Sequence, residues 1–210
     1  PHLQQAAVSF GADSGNKPAQ YATGCTEFYG HEFACDPRAL IPRFETAYLV
    51  KKVLQWCAAH GPHQARAIAD IGTGSGVIAI SVALRLPNAR IYASDISEDA
   101  LSLARENAHR HNVSHRIHFA HGSLLEPLTQ PPDIIVANLP YLSEKRMAAL
   151  APEVREWEPH AALYGGGNGF DLYRQLFREM REASLRHEWK PKFFIGEIDD
   201  NQETIAKQEI

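Results

Sequence analysis

The sequence predicts an α/β fold with a doubly wound, mostly parallel β-sheet flanked by helices. Short apolar, β-branched runs alternate along the chain with longer segments of helical periodicity, which is the pattern of repeated βα units. A glycine-rich turn, GTGSG at 72–76, joins one of these runs directly to a helical segment. Two polar residues, Asp95 and Asn138, stand where other runs end, and open α/β sheets bind ligands at the carboxyl ends of their strands.

The length and composition are those of one ordinary globular domain. The 210 residues can bury a full core, and the net charge of −4 argues against a broad nucleic-acid-binding surface, although not against a local basic patch. The three cysteines are odd in number and lack metal-ligand spacing, so we expect reduced thiols, no metal site and a cytoplasmic location. We also expect no signal peptide, and no apolar run approaches the length of a membrane span.

The first part of the chain is predicted to contain a β-hairpin. Residues 1–19 lack clear periodicity and are expected to form a loose lead-in. Residues 27–35, EFYGHEFAC, alternate apolar and polar side chains around a glycine, which indicates a hairpin with a tight turn inside a segment spanning 20–43. Residues 36–46 are interrupted by prolines and should be extended.

Residues 44–210 are predicted to form the sheet core. Glu45 or Thr46 should begin a helix that ends near His60, and Ser97 is a suitable N-cap because its hydroxyl can accept a backbone N–H. Further helices are predicted at 77–86, from Ser97 to about His111, at 171–187, and incipiently after 198. The predicted strands are 65–71, 90–94, 116–120, 133–137 and 193–197.

The stretch DIGTGSG at 70–76 has the form of a nucleotide-binding turn. Glycines let the backbone bend sharply and approach a ligand closely, and Asp95 at the end of the next strand can accept both ribose hydroxyls. The spacing is G-x-G-x-G with Asp70 in front, whereas the dinucleotide fingerprint is G-x-G-x-x-G. This favours an S-adenosylmethionine methyltransferase over a dehydrogenase, and a plain strand-to-helix turn with a capping Asp is the structural alternative.

The second informative stretch is DIIVANLPY at 133–141. Asn138 carries one acceptor oxygen and two donor hydrogens, and Pro140 biases Leu139 towards an extended conformation that would fix the direction of its carbonyl. Tyr141 can lie over a flat group. Two acceptors and a ring face suit a planar NH2 group, either an amide or the exocyclic amine of a base. The structural alternative is an Asn-Pro loop followed by a core tyrosine.

Six segments between about Pro18 and Ile198 together resemble the glutamine N5-methyltransferases of peptide-chain release factors, the HemK/PrmC family. They are AQYATGCTEFYGHEF, ALIPRFETAYLV, DIGTGSGVIAI, SDISEDALSLARENA, NLPY and EVREWEPHAALYGGGNGFDLYRQL. NLPY is similar to the family's Asn-Pro-Pro-Tyr signature, which adenine N6-methyltransferases of DNA and rRNA share. The second and last segments are far more specific to the glutamine enzymes.

The resemblance implies a Rossmann-like class I methyltransferase core in residues 20–210. Its implied reaction transfers a methyl group from S-adenosyl-L-methionine to the side-chain amide nitrogen of the glutamine in the Gly-Gly-Gln motif of release factors, which supports translation termination and leaves S-adenosyl-L-homocysteine. The implied cofactor-binding residues are Asp70, Gly72, Thr73, Gly74, Ser75, Gly76, Asp95, Leu124 (against the adenine) and Asn138. The implied catalytic residues are Asn138, Leu139, Pro140 and Tyr141, which frame the amide in a substrate pocket that also includes Arg43, Glu45 and Thr46.

The chain departs from the family pattern in several places. Phe44 replaces a proline, Ala47 replaces a glutamate, and Leu139 replaces the first proline of the signature, although a backbone carbonyl survives that change. Residues 1–19 would be at most a remnant of the family's N-terminal helical domain, and two terminal strands of the family's sheet would be missing. The resemblance therefore implies a catalytic core trimmed at both ends, with release factors as partners. We separately expect a monomer, and the composition predicts no membrane association and no direct nucleic-acid binding.

Three alternatives remain open from the sequence. An N6-adenine methyltransferase acting on rRNA or DNA would need nearly the same pocket chemistry. A non-catalytic module that binds S-adenosylmethionine would keep the glycine loop and Asp95. A nicotinamide dehydrogenase is the most distant of the three because the spacing of the glycines does not match its fingerprint.

Overall fold

The structure, a computed structural model, describes residues 16–61, 64, 66–186 and 189–209. Most of the predicted lead-in, Ala65 and His187 lie outside these described residues. The helices are α1 (Ala19–Thr23), α2 (Ala47–Ala59), α3 (Val77–Arg85), α4 (Glu98–Arg110), α5 (Glu144–Ala148), α6 (Pro152–Trp157), α7 (Asp171–Leu185) and α8 (Glu203–Glu209). The strands are β1 (Cys25–Phe28), β2 (His31–Ala34), β3 (Ala67–Ile71), β4 (Arg90–Asp95), β5 (Ile117–His121), β6 (Ile134–Ala137) and β7 (Phe193–Gly196).

The predicted doubly wound sheet is confirmed. Strands β3 to β7 form a five-stranded sheet in the order β5-β4-β3-β6-β7, and every neighbouring pair is parallel. The chain moves outward from β3 to β5 and then returns to β6 on the other side of β3, so β3 and β6 flank the topological switch point. In such sheets ligands bind outside the carboxyl ends of the strands at that point. The predicted hairpin is also confirmed, because β1 pairs antiparallel with β2.

The two faces of the sheet are buried against different helices. Along β6, Ile134 and Val136 pack in one cluster with residues of α2 and α3, whereas Ile135 and Ala137 pack in a second cluster with residues of α7. Successive side chains of a strand point to opposite faces, so a strand covered on both sides is apolar throughout. This explains why the short run at β6 is continuous rather than alternating.

The connection from 138 to 170 contains two short helices that the sequence pattern did not indicate. Ser143 begins α5 by accepting the backbone N–H of Arg146 at 3.4 Å, and Pro152 supplies the fixed φ of the first position of α6. These helices have five and six residues, which is too short for a helical periodicity to appear.

Two further properties of the described residues concern membranes and metal ions. None of the helices in the described ranges is long and apolar enough to cross a membrane. In the same ranges no group of three or more His, Cys, Asp or Glu side chains is arranged to hold a metal ion.

Candidate active site

A cleft opens at the carboxyl ends of β3, β4 and β6, next to the switch point. Its walls include residues from the glycine loop, from the end of β4 and from the start of the segment after β6. The predicted residues that line it are Arg43, Thr46, Gly72, Thr73, Gly74, Ser75, Asp95, Leu124, Asn138, Leu139 and Pro140.

The glycine loop is held by backbone hydrogen bonds and is open towards the cleft. The N–H groups of Gly72 and Thr73 both donate to the carbonyl of Ser94 at 2.9 Å, and the N–H of Gly74 donates to the Asp95 carboxylate at 2.8 Å. Gly74 has a φ of 56°, and beyond its two chain neighbours no described atom lies within 4 Å of the position that a Cβ would take there. The loop can therefore accept a ligand against its backbone, which is the property that glycine provides.

Asp95 is fixed in place but keeps acceptor capacity. One carboxylate oxygen accepts the N–H of Gly74 and the other accepts the N–H of Ser97 at 2.9 Å. Burial raises the pKa of Asp95 above its ordinary value, although these N–H groups act in the opposite direction. Each carboxylate oxygen offers more than one lone pair, so both can still accept hydroxyl groups from a ligand in the cleft.

Asp70, a predicted cofactor ligand, does not line the cleft. It is fully buried, and one of its oxygens accepts the hydroxyl of Thr73 at 2.7 Å and the N–H of Ala79 at 3.0 Å. Its other oxygen has no hydrogen-bond partner among the described residues. Burial raises the pKa of Asp70 to about 7, against the lowering effect of these two donors. In this geometry Asp70 ties the glycine loop to the first turn of α3.

Asn138 meets Thr46 and Glu197 at the end of β6. The Asn138 side-chain nitrogen donates to Thr46 Oγ1 at 3.1 Å, and the Thr46 hydroxyl donates to Glu197 Oε2 at 2.8 Å. Thr46 directly precedes α2, as predicted, but its side chain makes no capping hydrogen bond to that helix, and its oxygen accepts the Asn138 N–H. Among the described residues, none donates a hydrogen bond to the side-chain oxygen of Asn138 or to the carbonyl of Leu139.

Tyr141 also contacts the Glu197 carboxylate, through the oxygen that Thr46 does not use. Its hydroxyl donates to Glu197 Oε1 at 3.2 Å, and burial raises its pKa above the ordinary tyrosine value. Its backbone carbonyl accepts the side-chain N–H of Gln202 at 2.9 Å. Sequence reasoning missed Glu197 and Gln202. The available signal was that Glu197 directly follows a strand, as Asn138 does, so that parallel pairing brings both to one edge.

A second cavity adjoins the cleft. It is mostly apolar and is lined by Leu40, Arg43, Asn138, Leu139, Tyr141, Leu142, Leu150, Val154, Ala162 and Leu163. Asn138 and Leu139 belong to the walls of both cavities, as does Arg43. Residues 138–141, NLPY, are called the signature below. The signature stands at the junction between the cleft, which is bordered by the backbone of the glycine loop, and a slot with mostly apolar walls.

Arg43 is oriented by a buried partner from a distant segment. Its guanidinium contacts Glu158 at 2.6 Å, and the Glu158 carboxylate also accepts the N–H of Ile41 at 3.1 Å. The Glu158 side chain is 1% exposed, so this pair fixes the path of the segment before α2. The prediction that residues 36–46 are extended was wrong in part, because backbone hydrogen bonds close turns at 36–39 and 43–46. Glu45, predicted in the same wall, is exposed and lines neither cavity, and Phe44 is 90% exposed.

The backbone of the glycine cluster at 165–169 packs closely against the backbone of Pro140 and Tyr141. A Cβ at Gly165 would overlap the carbonyl oxygen of Pro140, and a Cβ at Gly169 would overlap that of Tyr141. A Cβ at Gly167 would meet nothing within 4 Å. The segment NLPY is therefore held in position by the close approach of another backbone, which two of these glycines permit.

Known bacterial proteins are similar in sequence to most of this chain. The chain is 40% identical over 180 residues to a release factor glutamine methyltransferase of Enterococcus faecalis, with 85% of this chain and 62% of that protein covered. A protein of the same description from Geobacter sulfurreducens is 45% identical over 161 residues, with 76% of this chain and 54% of that protein covered. The chain thus spans little more than half the length of these relatives.

The solved structures that resemble the chain show its fold. The N-terminal domain of human METTL16 in complex with SAH matches with a TM-score of 0.63 at 17% identity, covering 91% of this chain and 71% of that one. A ribosomal protein L11 methylase of Lactobacillus delbrueckii matches with a TM-score of 0.54 at 23% identity, covering 83% and 70%. The model of the methyltransferase small domain matches residues 48–156. The chain therefore belongs to the methyltransferase small domain family.

Proposed function

We propose that this chain transfers a methyl group from S-adenosyl-L-methionine to the side-chain amide nitrogen of the glutamine in the Gly-Gly-Gln motif of release factors. The observation that carries the proposal is that Asn138 and Leu139 line both cavities. The side-chain oxygen of Asn138 and the carbonyl oxygen of Leu139 accept no hydrogen bond from any described residue. A methyl donor in the cleft and an amide in the apolar slot would meet at these two oxygens. The description of relatives that are 40–45% identical supports the same reaction.

The residues of the cleft fit the cofactor. Gly74 leaves open space beside the loop backbone, and Asp95 can accept two ribose hydroxyls. Leu124, which is buried and has a φ of 46°, offers an apolar surface for the adenine in the cleft wall. The bound cofactor would supply an electrophilic methyl group on a sulfonium.

The protein's contribution to the reaction would be orientation. An amide nitrogen is a poor nucleophile because its lone pair is delocalised into the carbonyl, so its position relative to the methyl group matters greatly. The Asn138 side-chain oxygen and the Leu139 carbonyl would each accept one N–H of the glutamine amide and hold the nitrogen in line with the methyl group. The same two dipoles would stabilise the positive charge that develops on this nitrogen, and its proton would leave to water.

Labelled S-adenosylmethionine tests the proposal directly. A purified release factor is offered beside the same factor with Gln→Ala in its Gly-Gly-Gln motif, and rRNA and DNA are offered in parallel. Label on the unaltered release factor alone is the expected result. Label on rRNA or DNA would replace the proposal with adenine N6-methylation. Cofactor binding without label on any of these would replace it with the non-catalytic module.

A further inference from the structure

Glu197 stands at the centre of a short chain of hydrogen bonds that ends at Asn138. One carboxylate oxygen accepts the Thr46 hydroxyl at 2.8 Å, and the other accepts the Tyr141 hydroxyl at 3.2 Å. Thr46 in turn accepts the side-chain N–H of Asn138 at 3.1 Å. Thr46 is 2% exposed, so its hydroxyl has little access to water as an alternative partner.

The chemistry of these groups gives the chain of hydrogen bonds a direction. An ionised carboxylate only accepts hydrogen bonds, so the single proton of the Thr46 hydroxyl points at Glu197. The Thr46 oxygen is then left with lone pairs alone on its other side. An amide can present either its NH2 group or its oxygen to a neighbour, and only the NH2 group can bond to this one.

We infer that Glu197 is a positioning residue that selects the orientation of the Asn138 side-chain amide. With the NH2 group committed to Thr46, the Asn138 oxygen is the atom left for the substrate, and none of the described residues donates to it. Glu197 acts through Thr46 and does not itself touch the reacting atoms. The inference rests on the proposed function, because an acceptor is the group that an incoming amide NH2 requires.

Loss of the carboxylate would allow the opposite orientation. Without an acceptor at position 197, the Thr46 hydroxyl is free to donate to the Asn138 oxygen, and the amide can rotate by half a turn. The Asn138 NH2 group would then face the substrate NH2 group, donor against donor. A glutamine at 197 offers Thr46 either an acceptor or a donor, so it should have an intermediate effect.

Kinetics of four variants test this chain of bonds. We expect Glu197→Ala and Thr46→Val to lower kcat about 10- to 100-fold, the scale of a misplaced reacting group, while the Kd for S-adenosylmethionine changes less than about twofold. Glu197→Gln should lie between Glu197→Ala and the parent, and Thr46→Ser should restore most of the activity. Glu126→Ala is the matched control, because Glu126 is exposed and lines neither cavity.

The double variant tests whether Glu197 and Thr46 affect kcat through one pathway or independently. Tyr141→Phe removes the other hydrogen bond that Glu197 accepts in the site. In this background, Glu197→Ala added to Thr46→Val should cause little further loss of kcat, because the remaining route from Glu197 to Asn138 passes through Thr46. Losses that multiply would overturn the inference, and so would a Thr46→Val protein with the parent kcat. Thr46→Val keeps the side-chain volume and tests the same link if Glu197→Ala does not fold.

A readout that needs no turnover keeps this inference distinct from the proposed function. The side-chain NH2 resonances of Asn138, identified by their absence in Asn138→Ala, should shift in both Thr46→Val and Glu197→Ala. Unchanged resonances in these variants would overturn the inference. If they shift while the parent methylates no release factor, the proposed function fails and the positioning role of Glu197 stands.

Discussion

The backbone carbonyl of Tyr141 accepts a hydrogen bond of 2.9 Å from the side chain of Gln202, a residue 61 positions further along the chain. The same Gln202 side chain accepts the N–H of Asp199 and donates to the carbonyl of Asn168, so it joins the signature to the glycine cluster and to the start of α8. The geometry of the signature is therefore set by residues that follow it in the sequence.

The glycine cluster should be sensitive at some positions and tolerant at others. We expect Gly165→Ala to reduce kcat about 10- to 100-fold and to destabilise the fold by ~1–3 kcal/mol, because its Cβ would press on the backbone of Pro140 and Tyr141. Gly167→Ala is the matched control, since its Cβ would meet nothing within 4 Å. Urea unfolding and methyl transfer measure the two effects, and equal behaviour of both variants would contradict the supporting role.

Asp95 should contribute to cofactor affinity more than to the chemical step. Asp95→Ala removes an acceptor and is expected to weaken S-adenosylmethionine binding roughly 10- to 100-fold, the scale of hydrogen bonds to a charged group. Calorimetric titration measures this Kd. Asp99→Ala makes the same change of charge at an exposed position outside the cleft and should bind like the parent. An Asp95→Ala protein of parent affinity would remove Asp95 from the site.

Asp70 should make the stability of the protein depend on pH. Its folded pKa is raised from 3.8 to about 7, so the folded state keeps a proton that the unfolded state has lost over that interval. Stability contributed by the protonated form is therefore lost as the pH rises from about 4 to about 7.

Asp70→Asn mimics the protonated carboxyl and should remove this contribution. Relative to the parent, the free energy of unfolding of the variant should rise by up to ~4 kcal/mol between pH 4 and pH 7, at about 1.4 kcal/mol per pKa unit. Other carboxylates also make stability depend on pH, and some have pKa values shifted downwards, such as Asp36, whose pKa is lowered by hydrogen bonding to Arg38. Subtracting the parent's free energy of unfolding from that of the variant removes their contributions and leaves that of Asp70. Parallel curves for parent and variant would show that burial does not shift this group.

The structural features that could be predicted from the sequence depend on local patterns. The hairpin, the sheet and the helix after Ser97 follow from alternation, apolar runs and capping chemistry. The glycine loop and Asn138 stand at strand ends, and parallel pairing brings such positions to one edge. These features require knowledge of only a few neighbouring residues.

The remaining parts depend on contacts between distant segments. The pair between Arg43 and Glu158 joins positions 115 residues apart, and the bond from Thr46 to Glu197 joins positions 151 apart. No periodicity indicates which distant carboxylate a buried hydroxyl will meet. Asp70 stands two residues before the first glycine of the loop and still belongs to β3, and its buried carboxyl accepts hydrogen bonds from Thr73 and Ala79.

Asn138 should be needed for transfer and not for cofactor binding. Asn138→Ala removes the acceptor at the junction of the two cavities, and we expect methyl transfer to be abolished while most affinity for S-adenosylmethionine remains. The Kd from calorimetry and single-turnover transfer to the release factor measure the two properties separately. Near-parent turnover of this variant would remove Asn138 from the chemistry.

The most direct measurement of the central claim is the location of the transferred methyl group. A release factor incubated with this chain and S-adenosylmethionine is digested, and its Gly-Gly-Gln peptide is sequenced by tandem mass spectrometry. The account predicts one added methyl group on the glutamine side chain with the parent protein and none with Asn138→Ala. A methyl group on another residue, or an unmodified peptide with the parent, would contradict it.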